Sequence, residues 1–276
     1  MRLLIALIAA AWALPAASAC AAEPETVDIP IGETRLRAVV YRPEGNGPFP
    51  AVVGLHACSG LNNSSGAIAS RYRDWGQRLA QAGFAVVLPD SYGSRGLGSQ
   101  CGVRARAARN DRERVADVKA ARAWLHDQPW VAGDRISLLG WSSGAIAALW
   151  AVRPRAVAAD GRPDFRSAVV LYPGCHRLLD AAWSTRVPTL VLLAGSDDQT
   201  SAATCQQMVA GARGRSARIV VHVYSGAYHD FDHPNRRVQV RTGSAFSKDG
   251  SGRVHSGTHP AARADALRRV PEWLKR

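Results

Sequence analysis

The sequence has no internal repeat, no low-complexity tract and no Cys-x-x-Cys pair. A chain of 276 residues without repeats is long enough to bury one sizeable core, so we expect a single domain over residues 23–276. The missing Cys-x-x-Cys pair disfavours a zinc site, and no other pattern requires a bound group. We therefore expect neither a metal nor a cofactor.

Acidic residues are scarce relative to basic ones, 22 against 35, and the formal net charge is +13. Such an excess makes nucleic acid a partner to consider. The basic stretches, however, lack interleaved aromatic residues and any recognisable binding module. We expect no nucleic-acid partner, and the charge indicates instead an attraction to anionic surfaces or acidic substrates.

The N-terminus has the pattern of a secretory signal. Arg2 precedes an apolar run from Leu3 to Leu14, and small residues follow it. We predict a signal peptide at 1–22, a mature protein that is periplasmic or secreted, and no stable membrane insertion after removal of the signal. The alternatives are a retained membrane anchor and a lipoprotein attached through Cys20.

Four cysteines remain beyond the predicted signal, an even number that suits an oxidising compartment. Two disulfides can pair in three ways. We favour Cys58 with Cys101 and Cys175 with Cys205, because each pair would join loops expected at one edge of the sheet.

The remaining pattern predicts an α/β fold. Polar and apolar residues alternate at 25–31 and 34–41, which predicts an antiparallel hairpin. Buried strands are predicted at 51–56, 84–89, 135–139, 165–172, 188–194 and 217–224. Helices are predicted at about 68–83, 107–127, 145–152 and 202–212, and at the C-terminus, where Pro271 should kink the helix. This alternation is typical of a mainly parallel sheet with helices on both faces.

The pentapeptide at 140–144, Gly-Trp-Ser-Ser-Gly, lies between a predicted strand and a predicted helix, which is the setting of a nucleophile elbow. A serine hydroxyl needs a histidine base that a carboxylate orients. Asp197 and His229 follow two later strands, and the order Ser142, Asp197, His229 is that of the α/β-hydrolase fold. The backbone N–H groups of Ser143 and Cys58 are the expected oxyanion donors.

Six motifs resemble the dienelactone hydrolase family over nearly the whole mature chain. They begin at His56 (HACSGLN), Pro89 (PDSYGSRG), Gly140 (GWSSG), Tyr172 (YPGC), Asp197 (DDQTSAATC) and His229 (HDFD). The resemblance implies an α/β-hydrolase fold, Asp197 rather than Asp198 as the acid, and oxyanion donors at Cys58 and Ser143. Enzymes that open dienelactones typically have cysteine where this chain has Ser142. The serine therefore implies a carboxylic ester or lactone as the small-molecule substrate.

Other residues have two interpretations each. Tyr92 and Arg95 would line the pocket, with Arg95 pairing a substrate carboxylate, or would be solvated turn residues. Trp141 would pack under the elbow or contact the substrate. His233 is the rival of His229 as the base, and with its neighbours it would form a small metal cluster.

Two further alternatives concern a segment and the function. The polar segment 232–260 is either a substrate flap or a flexible linker, and we favour the flap. The expected function is ester or lactone hydrolysis through an acyl-enzyme. The alternatives are an exported peptidase or acyltransferase with the same three residues, and a noncatalytic binding protein.

Overall fold

The computed structural model describes residues 23–157 and 159–276. The predicted signal peptide and Cys20 lie outside the described residues. No helix within the described ranges has the length and apolar character needed to cross a membrane.

Eight strands form one sheet in the order β1-β2-β4-β3-β5-β6-β7-β8. The first two strands are the predicted antiparallel hairpin, and β3 to β8 pair in parallel. The strands are β1 (Glu25–Ile31), β2 (Thr34–Tyr41), β3 (Phe49–Leu55), β4 (Ala85–Pro89), β5 (Val131–Trp141), β6 (Ala168–Leu171), β7 (Thr189–Ala194) and β8 (Ile219–Tyr224). The mainly parallel sheet is therefore confirmed.

Helices cover both faces of the sheet, as the sequence predicts. They are α1 (Ser70–Gln81), α2 (Glu113–His126), α3 (Ser143–Ala151), α4 (His176–Asp180), α5 (Ala202–Gly211) and α6 (Pro260–Leu274). The apolar stripes of α1 and α6 pack on one face, and those of α2 to α5 pack on the other. Burial of these two apolar layers is the main favourable term in the stability of the fold.

One helix departs from the sequence prediction. The helix expected at 107–127 begins only at Glu113, because the preceding residues form hydrogen bonds outside a helix. The side chain of Asn110 accepts from Ser143, and the backbone N–H of Arg109 donates to Glu113. The C-terminal helix α6 contains Pro271 and continues to Leu274.

The structure contains both favoured disulfides, Cys58–Cys101 and Cys175–Cys205. The bonds close loops with sequence separations of 43 and 30 residues. Cross-links over such loops stabilise a fold by roughly 3–4 kcal/mol each, chiefly by restricting the unfolded chain.

The turn from β5 to α3 requires glycine on both sides of Ser142. A Cβ on Gly140 would lie 2.6 Å from the carbonyl oxygen of Gly144, and one on Gly144 would lie 1.9 Å from that of Leu55. Both obstacles are backbone atoms, so they cannot move aside alone. The glycines of the pentapeptide thus let the first turn of α3 rest directly on the end of β3.

We expect Gly144→Ala to lower the free energy of unfolding by at least about 2 kcal/mol, because a methyl group cannot fit without separating α3 from β3. Urea unfolding followed by circular dichroism measures this. Gly211→Ala is the matched control, since Gly211 is exposed and a methyl group added there would have no atom within 4 Å. Equal stability of the Gly144 variant and the wild type would contradict the close packing.

Candidate active site

Ser142 lies at the turn between β5 and α3 with φ 50° and ψ −113°. A positive φ is unusual for a residue other than glycine and stores strain that the surroundings must hold. The Ser142 N–H donates to the carbonyl oxygen of Leu171 at 3.0 Å, and its own carbonyl oxygen accepts from the N–H of Ile146 at 3.0 Å. Strand β6 and helix α3 therefore hold the strained turn from both sides.

His229 and Asp197 meet Ser142 at the carboxyl edge of the sheet. His229 follows β8, and its Nε2 lies 2.9 Å from Ser142 Oγ. Asp197 follows β7, and its Oδ2 lies 2.8 Å from His229 Nδ1. All three side chains are buried. The structure thus brings together the three residues that the sequence singled out from loops far apart in the chain.

The Asp197 carboxylate is held by the residues that follow it. The backbone N–H groups of Gln199 and Thr200 donate to Oδ1 at 2.9 and 2.8 Å, and the Thr200 hydroxyl donates to Oδ2 at 2.7 Å. Asp198 points elsewhere, because its carboxylate accepts from the backbone N–H of His255 and lies 2.7 Å from His255 Nδ1. Of the two neighbouring aspartates, only Asp197 faces His229.

The pKa values of His229 and Asp197 shift in opposite directions. Burial alone would lower the pKa of the His229 imidazole, but the Asp197 carboxylate outweighs it and raises the pKa above the ordinary 6.5. Burial alone would raise the pKa of Asp197, yet His229 and the hydrogen bonds to the carboxylate lower it. The arrangement favours an imidazole that can accept the serine proton and a carboxylate that stays ionised.

Two backbone N–H groups beside Ser142 are free to bind an oxyanion. Ser143 is the first residue of α3, where amides have no partner within the helix. Cys58 lies in the loop after β3 and is fixed by its disulfide to Cys101. Neither N–H donates to another group among the described residues. The positive end of the α3 dipole adds to the attraction for negative charge at this point.

A cavity of about 60 Å³ opens beside Ser142 and His229. The Cys58–Cys101 disulfide forms part of one wall. Residues 241–244, Val254 and Ser256 line it from the segment 232–260. That segment contains a small antiparallel pair, β9 (Gln239–Arg241) and β10 (Val254–Ser256), and the N–H of Gly257 donates to the carbonyl oxygen of His229. The segment is thus part of the site wall, which fits a flap better than a linker.

The three predicted pocket residues do not line this cavity. The Tyr92 hydroxyl lies 3.2 Å from Ser143 Oγ. Arg95 binds the buried carboxylate of Asp117, with Nη2 2.6 Å from Oδ1. The predicted pairing of Arg95 with a substrate carboxylate is therefore corrected, because Asp117 already occupies its guanidinium. Trp141 packs beneath the elbow, in the first of its two interpretations.

The rival histidine and the metal cluster are not assembled at the site. His233 Nε2 lies 3.2 Å from Ser70 Oγ, and burial and nearby arginines lower its pKa to about 4. The carboxylate of Asp230 pairs with Arg71 at 2.5 Å, so it is not a free ligand. Among residues 23–157 and 159–276, no group of three or more His, Cys, Asp or Glu side chains could hold a metal ion. The remaining histidines, 56, 126, 176, 222, 255 and 259, lie outside the contact between Ser142 and His229.

A buried polar network, which the sequence did not single out, supports the elbow and the histidine loop. Asp232 accepts from the indole N–H groups of Trp75 and Trp141 at 2.7 and 2.8 Å, and from the hydroxyl of Tyr172 at 2.5 Å. The ring of Tyr172 in turn packs on His229, with 4.5 Å between ring centroids. The Asp232 carboxylate thus links Trp141, the residue before Ser142, to Tyr172, which packs on His229.

The Ser143 side chain lies in a second network that the sequence did not single out. Arg106 Nη1 donates to Ser143 Oγ at 3.0 Å, Arg114 Nη1 donates at 3.1 Å, and Ser143 Oγ donates to Asn110 at 3.0 Å. The sequence periodicity could have identified Arg114 as a residue on the buried face of α2, because it lies at helical spacing from Val118 in the apolar stripe.

Comparisons with known proteins point to one family. The model of the Dienelactone hydrolase family matches residues 36–276. A curated protein of Bradyrhizobium sp. named "Probable 2-oxo-3-(5-oxofuran-2-ylidene)propanoate lactonase" is 32% identical over 133 residues, which are 46% of this chain and 49% of that protein. The match thus spans about half the length of the curated relative. The family is the one that the six sequence motifs resemble.

Solved structures with the same fold cover nearly the whole chain. A dienelactone hydrolase-like promiscuous phosphotriesterase from metagenomic libraries has a TM-score of 0.70 at 21% identity, over 93% of this chain and 98% of that one. Dienelactone hydrolase from Anabaena variabilis has a TM-score of 0.62 at 18% identity, over 92% of this chain and 97% of that one. Esterase 2 of Thermogutta terrifontis has a TM-score of 0.62 at 17% identity, over 91% of this chain and 94% of that one. These likenesses confirm the predicted α/β-hydrolase fold.

The His229–Asp197 pair gives a pH prediction. Only neutral imidazole can accept the Ser142 proton, so activity should rise with pH through the raised His229 pKa. Asp197→Asn removes the carboxylate that raises it, so the midpoint should move to lower pH, with kcat reduced about 10⁴-fold. The pH dependence of kcat/KM for a p-nitrophenyl ester measures both effects.

Asp198→Asn is the matched control, because its carboxylate binds His255 and not His229. We expect it to leave the midpoint where it is in the wild type. A larger loss of activity and a larger shift for the Asp198 variant than for the Asp197 variant would contradict the assignment.

Proposed function

The chain belongs to the dienelactone hydrolase family, and on that premise we propose that it is a serine hydrolase that cleaves carboxylic esters or lactones through an acyl-enzyme. The observation that carries the proposal is the continuous contact from Ser142 Oγ to His229 Nε2 at 2.9 Å and from His229 Nδ1 to Asp197 at 2.8 Å. A hydroxyl becomes an effective nucleophile in this setting, because the imidazole removes its proton as the bond to carbon forms.

In the proposed reaction, Ser142 Oγ attacks the substrate carbonyl carbon while His229 Nε2 accepts the hydroxyl proton. Asp197 stabilises the imidazolium, and the N–H groups of Cys58 and Ser143 bind the negative oxygen of the tetrahedral intermediate. His229 then donates its proton to the departing oxygen, leaving an acyl-enzyme. A water molecule attacks the acyl group by the same steps in reverse and restores Ser142.

Both the family and the nucleophile support an ester or lactone as the substrate. The curated relative is named as a lactonase, and one structural neighbour is named as an esterase. Serine rather than cysteine at position 142 supports a general carboxylic ester or lactone over a dienelactone. The cavity of about 60 Å³ supports a small acyl group.

We propose further that the mature protein works outside the cytoplasm, in the periplasm or as a secreted enzyme. The two disulfides support this location, because such bonds persist in oxidising compartments. The apolar run that follows Arg2 supports export of the chain.

A fluorophosphonate probe tests the nucleophile. We expect the wild type to hydrolyse p-nitrophenyl acetate and to carry the probe on Ser142, as shown by peptide mass spectrometry. Ser142→Ala should lose labelling and lower kcat at least about 10⁴-fold, because the nucleophile is absent.

His233→Ala is the control for this experiment, because His233 contacts Ser70 and lies away from Ser142. It should be labelled and hydrolyse the ester as the wild type does. A wild type that neither takes the probe nor hydrolyses any member of a panel of esters and lactones would contradict the proposal. Hydrolysis of peptides alone would favour the peptidase alternative.

The cavity wall gives a prediction about acyl size. We expect p-nitrophenyl acetate and butyrate to be hydrolysed with kcat/KM roughly 10-fold or more above that for the octanoate, because a long chain meets the segment 232–260. Val254→Ala enlarges the cavity and should raise kcat/KM for the octanoate several-fold relative to the acetate. Steady-state kinetics over the ester series measures this, and a wild type that prefers the octanoate would contradict it.

A further inference from the structure

Arg114 is a buried cation beside the proposed oxyanion site. It lies in the first turn of α2, its exposure is 0%, and it forms no ion pair with any carboxylate among the described residues. Burying a charge without a counter-ion is costly, and such a charge persists where hydrogen bonds or function compensate for it. The other buried arginine of this helix, Arg122, has a counter-ion, because it binds the carboxylate of Asp160 at 2.8 Å.

The guanidinium of Arg114 joins the two segments that supply the oxyanion donors. Its Nη1 donates to Ser143 Oγ at 3.1 Å, and its Nη2 donates to the carbonyl oxygen of His56 at 2.7 Å. Ser143 carries one proposed donor on its own backbone. His56 lies two residues before Cys58, which carries the other. The two contacts therefore fix the first residue of α3 relative to the loop after β3.

The surroundings hold the guanidinium in this position. It lies over the ring of Tyr92, 5.2 Å from the centroid, and the Tyr92 hydroxyl is itself 3.2 Å from Ser143 Oγ. The planar fork of an arginine can donate to two acceptors at once in a fixed geometry, whereas a lysine ammonium is a point charge on a flexible stem. The contact pattern thus uses the property that distinguishes arginine from lysine.

We propose that Arg114 is a positioning residue that clamps the two oxyanion donors at the correct separation and places a positive charge behind them. The inference rests on the proposed function. Negative charge develops on the substrate oxygen only in the tetrahedral transition state, so a fixed cation behind the donors stabilises that state and not the neutral ester. Loss of Arg114 therefore lowers kcat and leaves KM nearly unchanged.

The test compares Arg114→Met and Arg114→Lys with Arg122→Met, the matched control. Active sites are first counted by fluorophosphonate titration, so that misfolded protein does not affect kcat. We expect kcat for p-nitrophenyl acetate to fall about 100-fold in Arg114→Met at nearly constant KM, with an intermediate fall in Arg114→Lys. Arg122→Met should melt at a lower temperature with kcat per active site unchanged.

A second readout separates positioning from a purely structural role. Phenylboronic acid forms a tetrahedral anionic adduct with an active serine, so its inhibition constant reports on the oxyanion site directly. We expect the inhibition constant to rise roughly 100-fold in Arg114→Met, by about the same factor by which kcat/KM falls. If Arg114→Met does not fold, Arg114→Lys decides by the same two readouts.

Two results would overturn the inference while leaving the proposed function intact. One is that the wild type hydrolyses esters and the Arg114 variants have the same kcat per active site and the same boronate affinity as the wild type. The other is a loss that Arg122→Met reproduces, since that loss would be structural. A wild type that takes no probe and hydrolyses no ester would overturn both the inference and the proposed function.

Discussion

The contact between the backbone of Gly144 and the carbonyl oxygen of Leu55 is the constraint on which the site depends. It brings the first turn of α3 against the end of β3, so close that a Cβ on Gly144 would lie 1.9 Å from that oxygen. The same contact places the start of α3 beside the loop that leaves β3. Ser142, whose φ is 50°, lies directly before this first turn of α3.

Buried charges then fix the parts that the contact brings together. On one side, Asp232 binds Trp141, next to Ser142, and Tyr172, which packs on His229. On the other side, Arg114 binds Ser143 and the carbonyl oxygen of His56. Satisfied polar networks of this kind are rigid, because removing any member leaves a buried group unpaired. A site for acyl transfer needs such rigidity, since its donors must stand ready where charge develops.

The sequence predicted those features that depend on local pattern. The hairpin, the parallel strands and the elbow follow from periodicity and from glycine spacing, and the chain order of Ser142, Asp197 and His229 restricts the topology. The features that differ from the sequence prediction depend on tertiary contacts. Arg95 is paired with a buried aspartate 22 residues away, and the start of α2 is delayed because Asn110 bonds to Ser143, 33 residues away. Nothing in a local pattern encodes these partners.

The most direct test of the account is to trap the acyl-enzyme. The purified protein is mixed with p-nitrophenyl acetate, quenched in acid at the end of the first turnover and digested for peptide mass spectrometry. We expect a burst of p-nitrophenol and a single acetyl group on Ser142. Ester hydrolysis with the acetyl group on another residue, or with no burst and no acetylated Ser142 under any quench, would contradict it.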